Sequence, residues 1–161
     1  MNYLTCSLLN QEEIKILKTN LDNNNDSWED GKKTAGSFAS KVKNNLQLDR
    51  NSSVSKKNTD FVVKKILTNA LIKSFALPKI IHGIMFTKAL NGMQYGRHID
   101  NAFMSSGRAD LSFTIFLNNK KDYEGGNLVV ENINNENKFK LDQGEIIIYP
   151  STYLHSVEEI K

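Results

Sequence analysis

DLSFTIFL, residues 110–117, decides the fold class. Its residues alternate: Leu111, Phe113 and Ile115 fall on one face and Ser112, Thr114 and Phe116 on the other, which is the period of a strand. Short runs of the same character follow it, each bounded by turn residues. NNKKDYEGG (118–126) is a turn-rich loop, NLVVE (127–131) a strand, NINNEN (132–137) a hairpin, KFKL (138–141) a strand and DQG (142–144) a turn. EIIIYP (145–150) and HSVEEI (155–160) complete the series. Upstream, residues 92–99 read as a short mixed strand and residues 80–88 alternate loosely. Many short strands with turn signals predict a barrel or jelly roll.

Before Pro78 the apolar spacing is helical. Asn10 caps a predicted helix that runs through Leu21, with Glu13 three positions on as in a capping box, and Ile14, Leu17 and Leu21 share its apolar face. Thr34 opens a second predicted helix with Ala35, Phe38, Ala39 and Val42 as its stripe. The third and longest runs over residues 53–75, where Phe61, Val62, Ile66, Ala70 and Ile72 lie near helical spacing opposite a lysine face. A block of helices followed by a block of strands predicts an α+β fold, with the helices packed on one sheet. The length fits a single domain over residues 1–161, in which 1–78 form helical support and 79–161 the strand core.

Composition narrows the function classes. Hydrophobic residues make up 39% and charged residues 24%, so the chain can bury a core. The formal net charge is only +3 and no run of five or six like charges occurs, which argues against a nucleic-acid partner. No apolar stretch approaches the roughly 18 residues that span a bilayer, so no membrane partner is expected. The opening MNYLTCSLLNQEE has neither the basic nor the apolar region of a signal peptide. Cys6, the one cysteine, has no internal disulfide partner. Together these predict a reducing, cytoplasmic setting, which for a viral chain would be the host cytoplasm.

His98, Asp100 and His155 carry the chemistry. His98 and Asp100 form an H-x-D pair on a strand, and residues two apart point to the same face. His155 follows Pro150 at the start of the last predicted strand, which in an antiparallel barrel can lie beside the first. Two imidazoles and one carboxylate on one face of a metal leave positions open for a chelating co-substrate and O₂, the facial triad of non-haem Fe(II) oxygenases. On spacing alone, ordinary surface or hydrogen-bonded histidines are the commoner reading.

The surrounding text is more specific. YGRHIDNAFMSSGRADLSFTIFLNNKKDYEGGNLVVE (95–131) and LDQGEIIIYPSTYLHSV (141–157) closely resemble the PKHD-type hydroxylases, relatives of the prolyl 4-hydroxylase group of iron- and 2-oxoglutarate-dependent dioxygenases. The resemblance extends to WEDGKKTAG (28–36), VKNNLQL (42–48) and ALPKII (76–81). It implies a double-stranded β-helix (jelly-roll) core with Fe(II) held by His98, Asp100 and His155. It implies oxidation of 2-oxoglutarate to succinate and CO₂ with hydroxylation of a protein side chain, such as a prolyl residue, or of a small molecule. Ascorbate supports the group by re-reducing the metal. Tyr95 is then expected to hydrogen-bond the co-substrate, and Ser112 to assist its far carboxylate. Asn101 would hydrogen-bond a ligand side chain or form a turn. Competing structural roles are core packing for Tyr95 and Tyr149, simple alternation for Thr114, and a structural place for His82. Cys6 would be packed and unreactive. Gly125 and Gly126 would serve a tight turn, and Trp28 with Asp30 and Gly31 a loop over the barrel mouth.

One departure stands out. In the family the chain continues past the second histidine through a segment like T-R-G-x-R-x-A-S-x-F-W, whose basic residue pairs with the far carboxylate of 2-oxoglutarate. This sequence stops at Lys161. Three expectations follow: a shortened protein that still binds iron, replacement of the cation by Arg97 or Arg108, or completion of the barrel by a second chain. The core would lack its final strand, and the edge so exposed would favour a homodimer. A metal-binding or interaction module without catalysis, or a cupin-like metalloprotein that uses iron without 2-oxoglutarate, is the alternative function.

Overall fold

The computed structural model of the chain describes residues 3–24, 27–104 and 107–161. Parts of the asparagine-rich run 21–26 and of the motif after Asp100 therefore lie outside the described residues. The strands are β1 Leu4–Ser7, β2 Trp28–Asp30, β3 Lys43–Asn44, β4 Leu46–Leu48, β5 Thr87–Lys88, β6 Gln94–His98 and β7 Phe103–Met104. They continue with β8 Gly107–Arg108, β9 Leu111–Ile115, β10 Leu128–Glu131, β11 Glu136–Phe139, β12 Glu145–Pro150 and β13 Leu154–Val157. The helices are α1 Gln11–Asp22, α2 Ser53–Thr68 and α3 Ala70–Ala76.

Among the described residues two sheets build the core. One has the order β1-β12-β9, the other β11-β10-β13-β6-β3. The apolar run of β12 explains how they meet. Ile146 and Ile148 join the cluster that contains Leu17, Val62, Ile66 and Ile72 from the three helices. Ile147 and Tyr149, on the opposite face, join Phe116, Leu128, Val130 and Phe139 between the sheets. A strand covered on both faces reads as a continuous hydrophobic stretch, as EIIIYP does. β9 pairs antiparallel with β12, placing Phe113 opposite Ile148 and Ser112 opposite Tyr149. The apolar face of DLSFTIFL thus looks toward the helices, and its Ser112–Thr114 face lines the space between the sheets.

α1 starts where its cap predicts. The Asn10 side chain accepts from Glu13 N at 3.0 Å while Glu13 accepts from Asn10 N at 2.9 Å. An ion pair between Lys65 and Glu13 ties α2 to α1. Asn20 Nδ2 also donates to Asn58 Oδ1 at 2.9 Å across the same contact.

The first 78 residues depart from the predicted helical block. They supply β1–β4 as well as helices. β1 pairs with β12 along its whole length. The helix expected from Thr34 is absent: only 3₁₀ turns form at Gly31–Thr34 and Ala39–Lys41, and Phe38 is 83% exposed. Thr34 Oγ1 instead donates to Gln47 Oε1 at 2.5 Å, so this segment is held by the neighbouring strand rather than by its own helical ladder. The helix expected over 53–75 is broken at Asn69. That residue has extended backbone, and its side chain accepts from Ile72 N at 3.0 Å, restarting the helix as α3. Trp28 sits in β2 opposite Leu48 rather than in a loop. Of residues 80–88 only Thr87 and Lys88 form a strand, against β4.

Gly125 and Gly126 both have positive φ, 67° and 63°. Gly126 N donates to Glu159 O at 3.1 Å. Side chains there would collide with the Glu159–Ile160 backbone or with Ile160, so the pair serves a close approach of the chain end as well as a turn.

Candidate metal centre

β6 and β13 run antiparallel with His155 directly opposite His98, and the register shifts between His155 and Val157. β6 ends at His98, and Asp100 lies in the extension beyond it. The three residues offer ligand atoms that all lie within 4.8 Å of one another. Asp100 Oδ1 is 3.8 Å from His98 Nε2 and 3.6 Å from His155 Nε2. The imidazole centroids are 4.1 Å apart.

Hydrogen bonds on the far sides of the rings define what faces inward. His98 Nδ1 lies 2.9 Å from Gly96 O, and His155 Nδ1 lies 3.0 Å from Tyr153 O. A carbonyl only accepts, so each Nδ1 carries the proton and each Nε2 keeps its lone pair. Burial, reinforced by the neighbouring His155, pushes His98 down to about 4, so its ring is neutral near pH 7. Ser112 Oγ donates to Asp100 Oδ2 at 2.6 Å and leaves Oδ1 toward the imidazoles. Two lone pairs and a carboxylate oxygen converge with no donor among them. That donor set fits a divalent transition metal, whose imidazole ligands bind through one nitrogen and are oriented by a bond from the other.

Aromatic rings wall the cluster. Tyr95 stacks on His98 with centroids 3.6 Å apart and planes 16° apart. Burial, with the Asp100 charge adding, pushes its phenol up to about 12, so it remains a neutral donor. Tyr149 meets His155 edge-on at 5.3 Å and is fully buried in the inter-sheet core. Its phenol is likewise pushed up by burial.

The other predicted residues divide. Ser112 is at the site, but its hydroxyl is bound to Asp100 rather than presented to a co-substrate. Arg108 lies on the exposed β8 and pairs with Asp110 at 2.6 Å, away from the triad's imidazoles. Arg97 points outward and pairs with Glu131, because alternation turns it away from the His98 face. Asn101 Oδ1 accepts from Phe103 N at 3.1 Å, a turn contact. His82 lies outside the cluster. Cys6 is in β1, and burial raises its thiol pKa, with Glu145 adding. One residue at the site escaped the sequence reading. Lys43 is 2% exposed, and its Nζ lies 5.1 Å from the Tyr95 ring centroid. No local signal marks it, since its burial follows from the pairing of β3 with β6.

A jelly roll with this triad at adjoining strand ends defines a class, and residues 84–161 match the model of the 2OG-Fe(II) oxygenase superfamily. A PKHD-type hydroxylase of Prochlorococcus marinus strain MIT 9515 is 70% identical over the whole chain, which spans 73% of that relative. One from strain MIT 9215 is 71% identical over 99% of the chain and 72% of the relative. The chain belongs to the PKHD-type hydroxylase family, and it is an enzyme of the iron- and 2-oxoglutarate-dependent oxygenase class. Solved structures share the fold. A Pseudomonas putida prolyl-4-hydroxylase superposes with TM-score 0.68 at 15% identity, over 98% of this chain and 85% of that one. A prolyl hydroxylase from Trichoplax adhaerens, in complex with a hypoxia inducible factor peptide, gives 0.64 at 15% identity, over 99% and 78%. No helix among the described residues is long and apolar enough to cross a membrane.

Proposed function

We propose that the protein hydroxylates a C–H bond of a protein side chain, a prolyl residue foremost, or of a small molecule. The reaction is coupled to oxidative decarboxylation of 2-oxoglutarate. In balanced form, substrate C–H, O₂ and 2-oxoglutarate give substrate C–OH, succinate and CO₂. His98, Asp100 and His155 would hold Fe(II). When bound, the iron supplies the activation of O₂ and the oxidising power, which no side chain here provides.

The chain's own residues prepare the site. Ser112 fixes Asp100 so that a single oxygen faces the metal position. The Gly96 and Tyr153 carbonyls hold the two rings in the metal-binding tautomer. Tyr95 and Tyr149 keep water from the rings, and the neutral Tyr95 phenol is placed to donate to an anionic co-substrate. The peptide in the Trichoplax structure supports a protein substrate for this chain. Ascorbate would serve as re-reductant. Among the described residues β9 has no neighbour on its outer edge, and a second copy pairing there would give a homodimer.

The observation that carries this reading is the convergence of both Nε2 atoms on Asp100 Oδ1. It is tested by titrating Mn(II) into wild type and Asp100→Ala, and by following succinate released from 2-oxoglutarate by the iron-loaded protein. One tight site in wild type, lost in the variant, with succinate formed only by wild type, is expected. Equal Mn(II) affinity in the two proteins overturns the site, and iron-dependent O₂ consumption independent of 2-oxoglutarate overturns the reaction.

A further inference from the structure

Lys43 is a buried cation that the proposed reaction has not used. β3 pairs with β6 so that Lys43 is the register partner of Tyr95, and the two side chains lie on the same face of the sheet. The ammonium is 3.2 Å from Gln47 Oε1 and 3.4 Å from Thr34 Oγ1. Both partners are neutral, and Thr34 gives its own proton to Gln47. Among the described residues no carboxylate comes within ion-pairing distance of Lys43. A buried ammonium with only neutral partners is an unfavourable arrangement that an arriving anion relieves. Behind it, Gln47 is fully buried, and among the described residues its Nε2 has no hydrogen-bond partner.

Position then points to the ligand. The Lys43 ammonium lies 5.1 Å from the Tyr95 ring, and that ring lies 3.6 Å from His98. Burial, and then the Arg50 charge, push the Lys43 ammonium below the usual lysine range, with the Asp100 and Asp30 charges opposing that shift. A chain of three or four carbons, at about 1.5 Å per bond, spans roughly 5 Å. A ligand seated at the triad and running along the Tyr95 ring extends a terminal carboxylate toward Lys43, which lies against that ring.

We propose that Lys43, backed by Gln47 and Thr34, is an anion anchor that binds a carboxylate of the ligand held at the His98–Asp100–His155 centre. The carboxylate is either the far acid of the 2-oxo diacid or an acidic group of the substrate. This inference rests on the reading of the triad as a metal centre, and it makes Lys43 a positioning residue of the same site.

Calorimetry on the Mn(II)-loaded protein tests it without turnover. In one arm 2-oxoglutarate is compared with 2-oxopentanoate, which has the same length and lacks the second acid. In the other, with 2-oxoglutarate saturating, N-acetylaspartate is compared with N-acetylasparagine. Lys43→Met is expected to weaken at least one of the two acids tenfold or more and leave its neutral counterpart unchanged, while Lys43→Arg retains most of the preference. Loss in the first arm assigns the co-substrate, and loss in the second the substrate. Lys43→Gln, which can keep the bonds to Gln47 and Thr34, carries the same test if the Met variant fails to fold. Acid preferences unchanged by these variants in both arms, or absent from wild type in both, overturn the proposal. Mn(II) affinity should be the same in wild type and variants. If wild type itself binds no Mn(II), the metal-centre reading fails first, and the two failures are thereby told apart.

Discussion

His98 and His155 are register partners across the antiparallel β6–β13 pair, with imidazole centroids 4.1 Å apart. Residues remote in sequence meet because strand register, not a local motif, brings them together. A one-residue slip of either strand would turn one ring to the opposite face. The site is therefore as well specified as the pairing that carries it, and the flanking β10–β13 ladder, which sets Val130 opposite His155, helps to hold that pairing.

Removing one ring should separate metal binding from folding. His155→Ala leaves Asp100 and His98 without the third ligand while the backbone ladder of β13 persists. A loss of Mn(II) affinity of at least about 100-fold is expected, more than the 10–100-fold typical of residues that only orient a ligand. Calorimetry reads the affinity, and far-ultraviolet circular dichroism confirms that the sheets remain. Wild-type affinity in a folded variant refutes His155 as a ligand.

Ser112→Ala should behave as the loss of an orienting contact. Its hydroxyl bonds Asp100 Oδ2 at 2.6 Å, so its removal frees the carboxylate to rotate. Mn(II) affinity should fall about 10-fold, within the range for orienting partners, with little change in thermal stability. Ser112→Thr, which keeps the hydroxyl, should recover most of the loss. Equal affinity in all three proteins would show that Asp100 is held by something else.

Much of this arrangement was legible in the sequence, and what was not has a physical reason. The strict alternation of DLSFTIFL gave both faces of β9, because one face meets the helices and the other the site. The capping box at Asn10 and Glu13 placed α1, since its signal is local. Residues 34–42 misled: their apolar spacing was helical, but Thr34 and Lys43 are bound to Gln47 of β4, and tertiary contacts override weak propensity. Strands of two or three residues, such as β2 to β5, carry too few alternations to be read. Lys43 escaped because nothing local distinguishes a buried lysine from a solvated one; its burial follows from pairing with β6. Arg108, which looked like a spare cation from the motif, is exposed on β8 and pairs with Asp110.

The Glu13 carboxyl gives a pH dependence of known sign. Its hydrogen bond from Lys65, and then that from Asn10 N, hold it below the ordinary carboxylate range. The folded state therefore binds the proton less readily than the unfolded state does. The stability contributed is present above the unfolded pKa and is lost as pH falls through the lower folded value. Glu13→Gln keeps an oxygen to accept from Asn10 N and removes the charge. The difference in unfolding free energy between wild type and Glu13→Gln, measured by urea titration, should be a few tenths to about 1 kcal/mol near neutrality. It should shrink on acidification below about pH 4. A difference that grows on acidification would reverse the sign and disprove the coupling.

Asn69 and Ile72 test whether the break between α2 and α3 is part of the fold. Asn69 ends one helix with extended backbone, and its side chain caps the next by accepting from Ile72 N. Ile72 is fully buried in the cluster that joins the helices to β12. If α3 is a separate, capped element, Asn69→Ala removes the cap and should cost about 1 kcal/mol, whereas Asn69→Gly should cost only a few tenths. Were 53–75 one continuous helix, the order would reverse, because alanine is favoured over asparagine and glycine in a helix interior. Ile72→Ala should cost about 2–5 kcal/mol, since it leaves a cavity against the sheet. Chemical denaturation of the three variants decides between the two arrangements, and an Asn69→Ala protein more stable than wild type would rule out the capped break.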